Sequence, residues 1–349
     1  MDGFDFPRPG GPERDRRELR SARILVTGGG GFIGSNLVEK FLAQDNEVVV
    51  LDDFSTGFRE NLARVEHDPR FRLVVGDLRS EDDCRKAVDG VDFVLHEAAL
   101  GSVPRSIENP IRSTDVNVRG FVTLMDAARK ARVKRFVYAS SSSAYGDEPN
   151  LPKVESRVGE PLSPYAASKR AGELAAASFH RVYGLETIGF RYFNVFGRRQ
   201  NVRGPYAAVI PRFLGAMIRG ERPVIHGDGS NSRDFTYIDN ILRINELALL
   251  TDRPDAPGSV FNAACGERTD LNELFRSLRD ALAEHLPEAA DIEPEYGPRR
   301  AGDVPHSLAS IDKARAVLGY EPVVRVAEGL RRTVAWFWEN RRVFDGEAF

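Results

Sequence analysis

The chain has only two cysteines, Cys84 and Cys265, in 349 residues. That is too few for a disulfide framework and fits a reducing compartment. No apolar run approaches the ~20 residues needed to span a bilayer. There is no basic surplus either: 49 Lys and Arg face 52 Asp and Glu, a net charge of −3, which argues against a general nucleic-acid binder. No grouping of His, Cys and carboxylates has the spacing of a metal site, so His96 reads as structural. Internal repeats are missing. Residues 1–20 are charged and rich in Pro and Gly, without the apolar stretch of a signal peptide. They read as an arm or disordered tail, and the chain as cytoplasmic, with no metal, membrane or nucleic-acid partner. The remainder is ordinary: 42% hydrophobic and 29% charged exclude a fibrous or disordered protein. The length calls for one large or two coupled domains.

From residue 23 onward, short β-branched runs alternate with amphipathic stretches. The runs 24–27, 48–51, 73–75, 93–96, 136–139 and 187–190 are apolar without alternation, as strands buried on both faces should be. Helix-length segments 36–44, 117–131 and 165–183 lie between them. The pattern predicts an α/β fold with a doubly wound parallel sheet. After Tyr192 the rhythm breaks, Gly and Pro become frequent, and helices are expected at 271–285 and 326–340. Residues 21–191 therefore read as a dinucleotide-binding domain, with a segment near 235–265 returning to it through a strand at 259–263. Residues 192–234 and 266–349 read as a smaller substrate-holding domain.

The first strand runs straight into Thr27-Gly28-Gly29-Gly30-Gly31-Phe32-Ile33-Gly34. Glycines 29, 31 and 34 satisfy G-x-G-x-x-G, and 28, 31 and 34 satisfy G-x-x-G-x-x-G. A tight turn ahead of a helix needs them, because the backbone must approach a pyrophosphate at the helix N-terminus. The strand before and helix after supply the confirming context. Asp52 follows Gly34 by 18 residues, placed to accept hydrogen bonds from a ribose diol and to repel an added phosphate, so NAD is preferred to NADP. At other strand ends, Asp77 is a candidate for the adenine amine, with Leu78 beside it. Ala98 and Ala99 leave room for the dinucleotide.

Tyr165 and Lys169 share a helix face through their i, i+4 spacing. A tyrosine titrates near 10, and a neighbouring ammonium favours its phenolate. The run Ser140-Ser141-Ser142-Ser143 ends the fifth strand, and Ser141 precedes Tyr165 by 24 residues. Beside a nicotinamide, Ser, Tyr and Lys suit hydride transfer from a secondary alcohol.

These motifs, with Arg191-Tyr192-Phe193-Asn194-Val195-Phe196-Gly197, resemble the extended short-chain dehydrogenase/reductase superfamily from residue 23 onward. Within it the chain looks like the NAD-dependent UDP-sugar 4-epimerases. The segments 100–106, 206–211 and 232–235 resemble the UDP-N-acetylglucosamine 4-epimerases of bacterial polysaccharide biosynthesis. The resemblance implies that Tyr165 takes the proton of the sugar 4-hydroxyl. Lys169 would lower the Tyr165 pKa and hold the nicotinamide ribose, and Ser141 would bind the reacting hydroxyl. It implies cofactor contacts from Gly28, Gly31, Phe32, Ile33, Gly34, Asp52, Asp77, Leu78, Ala98 and Tyr192. For the sugar nucleotide it implies Ser102, Ser142, Ser143, Asn194, Tyr206 and Val209, with Arg233 and Arg300 on the diphosphate and Asp303 on the uridine ribose. It also implies a homodimer through a four-helix bundle built from 117–131 and 165–183.

Related 4,6-dehydratases carry an Asp-Glu pair where Ser142 and Ser143 stand here. UDP-glucuronate decarboxylases usually carry Glu in place of Ser143. That leaves an epimerase or decarboxylase of uronic sugars as the alternative, with a non-catalytic nucleotide-sugar-binding module behind it. Relatives restricted to plain hexoses tend to have Tyr at the position of Ser307. A small residue there leaves space for a 2-acetamido group, so the expected substrates are UDP-GlcNAc and UDP-GalNAc.

Overall fold

A computed structural model describes residues 17–202, 207–299 and 305–345. Of the arm expected over 1–20, only 17–20 fall within this range, and there Leu19 packs against the core. The first strand, β1 (Arg23–Thr27), has every residue after Arg23 buried, and its turn leads into α1 (Phe32–Ala43). Next come β2 (Glu47–Asp52), β3 (Phe71–Val75), α2 (Glu81–Val88) and β4 (Phe93–His96). Two short helices, α3 (Val103–Glu108) and α4 (Pro110–Thr114), precede a π-helical stretch, Asp115–Gly120, that runs into α5 (Phe121–Lys130). The half closes with β5 (Arg135–Ser141), α6 (Pro164–Tyr183) and β6 (Thr187–Tyr192).

The chain then leaves the sheet. Short strands β7 (Val195–Phe196) and β10 (Thr236–Tyr237) pair in parallel, and β9 (Ser232–Arg233) pairs antiparallel with β12 (Thr269–Asp270). Strand β8 (Val224–His226) pairs with β13 (Glu295–Gly297). Helices α7 (Val209–Ile218), α8 (Ile238–Leu250), α9 (Leu271–Ala283), α10 (Asp312–Leu318) and α11 (Val326–Glu339) complete this part. Between α8 and α9, β11 (Ser259–Ala263) returns to the main sheet beside β6.

The main sheet is parallel throughout, in the order β11-β6-β5-β4-β1-β2-β3. The chain fills one side from β1 to β3, then crosses back to start the other at β4. The β1/β4 junction is therefore a topological switch point, where strand carboxyl ends and helix N-termini open a crevice for a ligand. Side chains from alternate strand positions enter two cores. Val26, Val50, Leu95, Val137 and Ile188 point to the α1 and α8 side, while Leu25, Val49, Val94 and Phe136 point to α2 and α5. Each such burial contributes about 1.5–3 kcal/mol, which fixes strand register: a one-residue slip would exchange the two sets.

One buried network sets the spacing of β5, α6 and β6. The Arg191 guanidinium of β6 grips Glu173 of α6 through two bonds of 2.8 Å, and Ser140 of β5 donates to the same carboxylate at 2.7 Å. Burial is the largest single influence on Glu173 and raises it, but the hydrogen bond and charge of Arg191 together with the Ser140 and Arg170 hydrogen bonds hold it below its usual pKa. A second pin is Asn262 of β11, which accepts from the Tyr145 hydroxyl at 2.7 Å and donates to the carbonyls of Lys153 and Ser310.

Candidate active site

The glycine turn leaves no room for side chains. Gly28 has φ +70°, and a Cβ there would lie 2.8 Å from the Ala98 backbone. A Cβ on Gly34 would fall on the Gly28 carbonyl oxygen. Gly31 is the N-cap of α1 and offers no capping side chain, so the first-turn N–H groups remain available for an anion. A cavity of about 510 Å³ opens from this turn. Gly28, Gly31, Phe32, Ile33, Gly34, Asp52, Asp77, Leu78 and Ala98 all line it.

Beside the turn, Asp52 accepts the Gly30 and Phe54 N–H groups, both at 2.8 Å. Burial pushes this carboxyl up, while those two bonds pull it down. Asp77 lines the cavity too, but its carboxylate already forms a bidentate pair with Arg79, at 2.6 and 3.0 Å. The adenine role expected for Asp77 therefore has a competitor in hand. His96 is buried and shares a 2.8 Å hydrogen bond between Nδ1 and the Thr27 hydroxyl. Burial drives its pKa down to about 3, so it is neutral and structural.

Helix α6 brings the candidate catalytic pair to the strand ends. Ser163 caps it by accepting the Ala166 N–H at 3.1 Å, Pro164 starts the first turn, and Gly184 ends it at φ +71°. The Tyr165 N–H donates to the Ser106 hydroxyl at 3.1 Å, which ties this end to α3. Ser141 ends β5, and its side chain comes near enough to the Tyr165 phenol to pull its pKa down. Ser143 donates its hydroxyl to Ser141 Oγ at 2.8 Å, and Ser142 opens the 3₁₀ turn that follows. The three expected residues thus meet, with Ser143 behind Ser141.

Two expected details differ. Lys169 Nζ donates to the Ala139 carbonyl at 2.7 Å and lies 6.0 Å from the Tyr165 ring centre. Burial raises the Tyr165 phenol, opposed by the Ser141 hydrogen bond. The expected lowering by Lys169 is not seen, because the ammonium turns toward a backbone oxygen. Burial likewise pulls Lys169 down to about 8, against the attraction of Glu97 and Glu173. The second difference is Tyr192, expected beside the nicotinamide. Its ring is buried in the core, and its hydroxyl reaches back to Glu97 Oε1 at 2.8 Å while accepting from Asn245 at 2.8 Å. Glu97 lines the dinucleotide cavity instead.

A second cavity, of about 350 Å³, is lined by Asn194, Gln200, Val209, Arg212, His226 and Arg233 among others. Ala207 borders both cavities. Asn194, at φ +35°, donates to the Asp234 carbonyl at 3.0 Å and to the Ser307 hydroxyl at 3.4 Å. Arg233 Nη1 donates to the Ser232 and Pro305 carbonyls. Asp234 gathers the Cys265, Gly266 and Ala309 N–H groups at 3.0–3.2 Å. The strand ends and the carboxyl-terminal region are thereby clamped together around Ser307. Ser102 spends its side chain capping α3, accepting the Arg105 N–H at 3.2 Å. Tyr206, Arg300 and Asp303 lie outside the described residues. Sequence reasoning passed over Glu97, Gln200, Arg212 and His226. Only Glu97 carried a usable signal, as a carboxylate at the end of a parallel strand.

A profile of the NAD dependent epimerase/dehydratase family matches residues 24–264. The chain belongs to this family. It is 38% identical over 317 residues to a UDP-glucose 4-epimerase of Mycolicibacterium smegmatis, covering 90% of this chain and 98% of that one. Among solved structures it is similar to a UDP-N-acetylglucosamine 4-epimerase of Methanobrevibacter ruminantium M1 in complex with UDP-N-acetylmuramic acid. That match has a TM-score of 0.85 and 40% identity over 92% of this chain and 100% of that one. It is also similar to a UDP-glucose 4-epimerase of Thermotoga maritima with UDP-glucose, with a TM-score of 0.83 and 36% identity over 91% and 99%. The cofactor of the family is NAD. The glycine cradle, the open α1 N-terminus and Asp52 fit a dinucleotide pyrophosphate and ribose.

Proposed function

We propose that this protein is an NAD-dependent UDP-sugar 4-epimerase that interconverts UDP-GlcNAc and UDP-GalNAc. The observation that carries the reaction class is the meeting of Ser141, Tyr165 and Lys169 at the carboxyl end of β5, with hydroxyls rather than an acid pair at 142 and 143. NAD, held by the glycine cradle and Asp52, would supply the hydride-accepting and hydride-returning chemistry at sugar C4. Tyr165 holds and gives back the proton of the 4-hydroxyl, Ser141 orients that hydroxyl, and Lys169 supplies positive charge beside both. Water elimination needs an acid at 142 or 143, and none stands there.

Support for an acetylated substrate comes from Ser307, a small side chain within hydrogen-bond reach of Asn194 in the second cavity. Arg233, with Arg300 and Asp303, is assigned to the nucleotide. The similar epimerase that carries UDP-N-acetylmuramic acid is in keeping with a roomy C2 position. We further assign a homodimer formed through the 117–131 and 165–183 helices.

The test is to incubate the purified protein with UDP-GlcNAc and no added NAD, and to follow anomeric protons by NMR. Appearance of UDP-GalNAc, with the same final ratio from either side, supports the reading. Turnover of UDP-Glc alone would remove the argument from Ser307. Release of carbon dioxide from UDP-glucuronate would move the protein to the decarboxylases.

A further inference from the structure

Glu97 stands at the end of β4, yet its carboxyl is held by Tyr192 on β6. Strand β5 lies between these two in the sheet, so the side chain reaches beneath the end of β5, where Ser141 begins. Asn245 of α8 backs the Tyr192 hydroxyl at 2.8 Å. Oε1 is therefore fixed by a two-residue tether. Among the described residues Oε2 is buried without a hydrogen-bond partner, while the residue itself lines the dinucleotide cavity.

A buried carboxylate oxygen with no donor is costly unless the group keeps a proton or gains a cation. The groups that face it are Lys169 from α6, Tyr192 from β6 and Asn245 from α8. Lys169 is committed to the Ala139 carbonyl. Burial accordingly lifts Glu97 to about 7, with the Tyr192 hydrogen bond and Lys169 opposing. Beyond Lys169, a cation to face this group is one the oxidised nicotinamide ring carries and the reduced ring does not.

We propose that Glu97 is a positioning residue for cofactor charge: its tethered carboxyl selects the oxidised dinucleotide over the reduced one. Ionised opposite the oxidised ring, it gains a partner, whereas opposite the neutral reduced ring it takes up a proton instead. The bias favours return of the hydride to the sugar, which an enzyme that recycles its own cofactor needs. This rests on the epimerase reading only for its purpose, since the binding preference itself involves no sugar.

The test compares dissociation constants of NAD⁺ and NADH by isothermal titration calorimetry, for the unaltered protein and for Glu97→Gln, each first stripped of any dinucleotide retained through purification. Glutamine keeps the shape and the Tyr192 contact but never ionises. Its expected effect is about tenfold weaker NAD⁺ binding, the order of one unit charge lost at several ångströms, with NADH changed by less than about twofold. An unchanged NADH to NAD⁺ ratio overturns the proposal. Should Glu97→Gln fail to fold, Tyr192→Phe removes the donor to Oε1 and is expected to weaken NAD⁺ selectively. Equal losses for both dinucleotides would refute the proposal there. Unaltered protein that binds neither dinucleotide would instead sink the cofactor site itself, and failure of the sugar assay alone would leave the result standing.

Discussion

Lys169 carries a sharp expectation at the scale of one side chain. Burial brings its ammonium down to about 8, so the charge beside Tyr165 is present at neutral pH and lost as pH rises through that value. If the reaction needs the ammonium, kcat/KM falls above pH 8 by about tenfold per unit, as a single ionisation requires. Lys169→Arg keeps the charge and should push that limb to higher pH. Lys169→Met should remove the limb and lower kcat/KM about 10²–10⁴-fold. A profile for the methionine variant that still bends near 8 would show that another group controls it. Tyr165→Phe belongs with this set: without its hydroxyl the proton has no acceptor, and a similar loss is expected with folding intact. The sequence made these residues visible because an i, i+4 pair on one helix face is a local fact. The direction taken by the Lys169 ammonium was not local, since it depends on a β5 carbonyl.

Between elements, the buried Arg191–Glu173–Ser140 group decides how β5, α6 and β6 sit together. Its members are 18 and 33 residues apart from Glu173, and nothing in the spacing announces them as partners. Glu173→Ala would leave the Arg191 guanidinium buried and unpaired, at a cost of about 3–5 kcal/mol. Urea unfolding should show that as a lowered midpoint with an unchanged slope. Replacement at little cost would mean that water, or Glu155, whose carbonyl already accepts from Arg191 Nη1 at 3.2 Å, satisfies the guanidinium. The sheet strands were legible because both faces are buried and their runs are apolar without interruption. Helix α8 was not. Its buried residues include Asn240, Arg243, Asn245 and Glu246, whose polarity hides the helical period even though each is tied down, as Asn240 is by the Val324 carbonyl at 2.7 Å. The two-residue strands β7, β9, β10 and β12 carry no periodic signal at all. Ser102 was singled out from its segment alone; that its side chain also caps α3 depends on the Arg105 N–H and had no mark in the sequence.

Across the whole molecule, the two cavities meet at Ala207, and the sheet's switch point faces the carboxyl-terminal region that Asp234 clamps in place. One face of α3, α4 and α6 is left in solvent. There Ile107, Ile111, Leu174 and Val182 are exposed by 64%, 82%, 62% and 66%. A groove of about 700 Å³ runs beside them, lined by Pro110, Ile111, Thr114, Asp115, Val118, Arg119 and Val122. Clustered apolar exposure of this kind marks an interaction surface. The expected helices 117–131 and 165–183 border it, so the same flank serves the proposed homodimer, and a two-fold contact would bury like against like. Sedimentation equilibrium should therefore give twice 38.8 kDa. Ile111→Asp together with Val118→Asp should shift the protein to the monomer, because two buried carboxylates facing their own copies across a symmetry axis cannot both find partners. Titrated NAD⁺ should bind that monomer with little change, since neither side chain lines the dinucleotide cavity. A double variant that stays dimeric would put the interface on another face, and a monomeric parent would leave this flank open to a different partner.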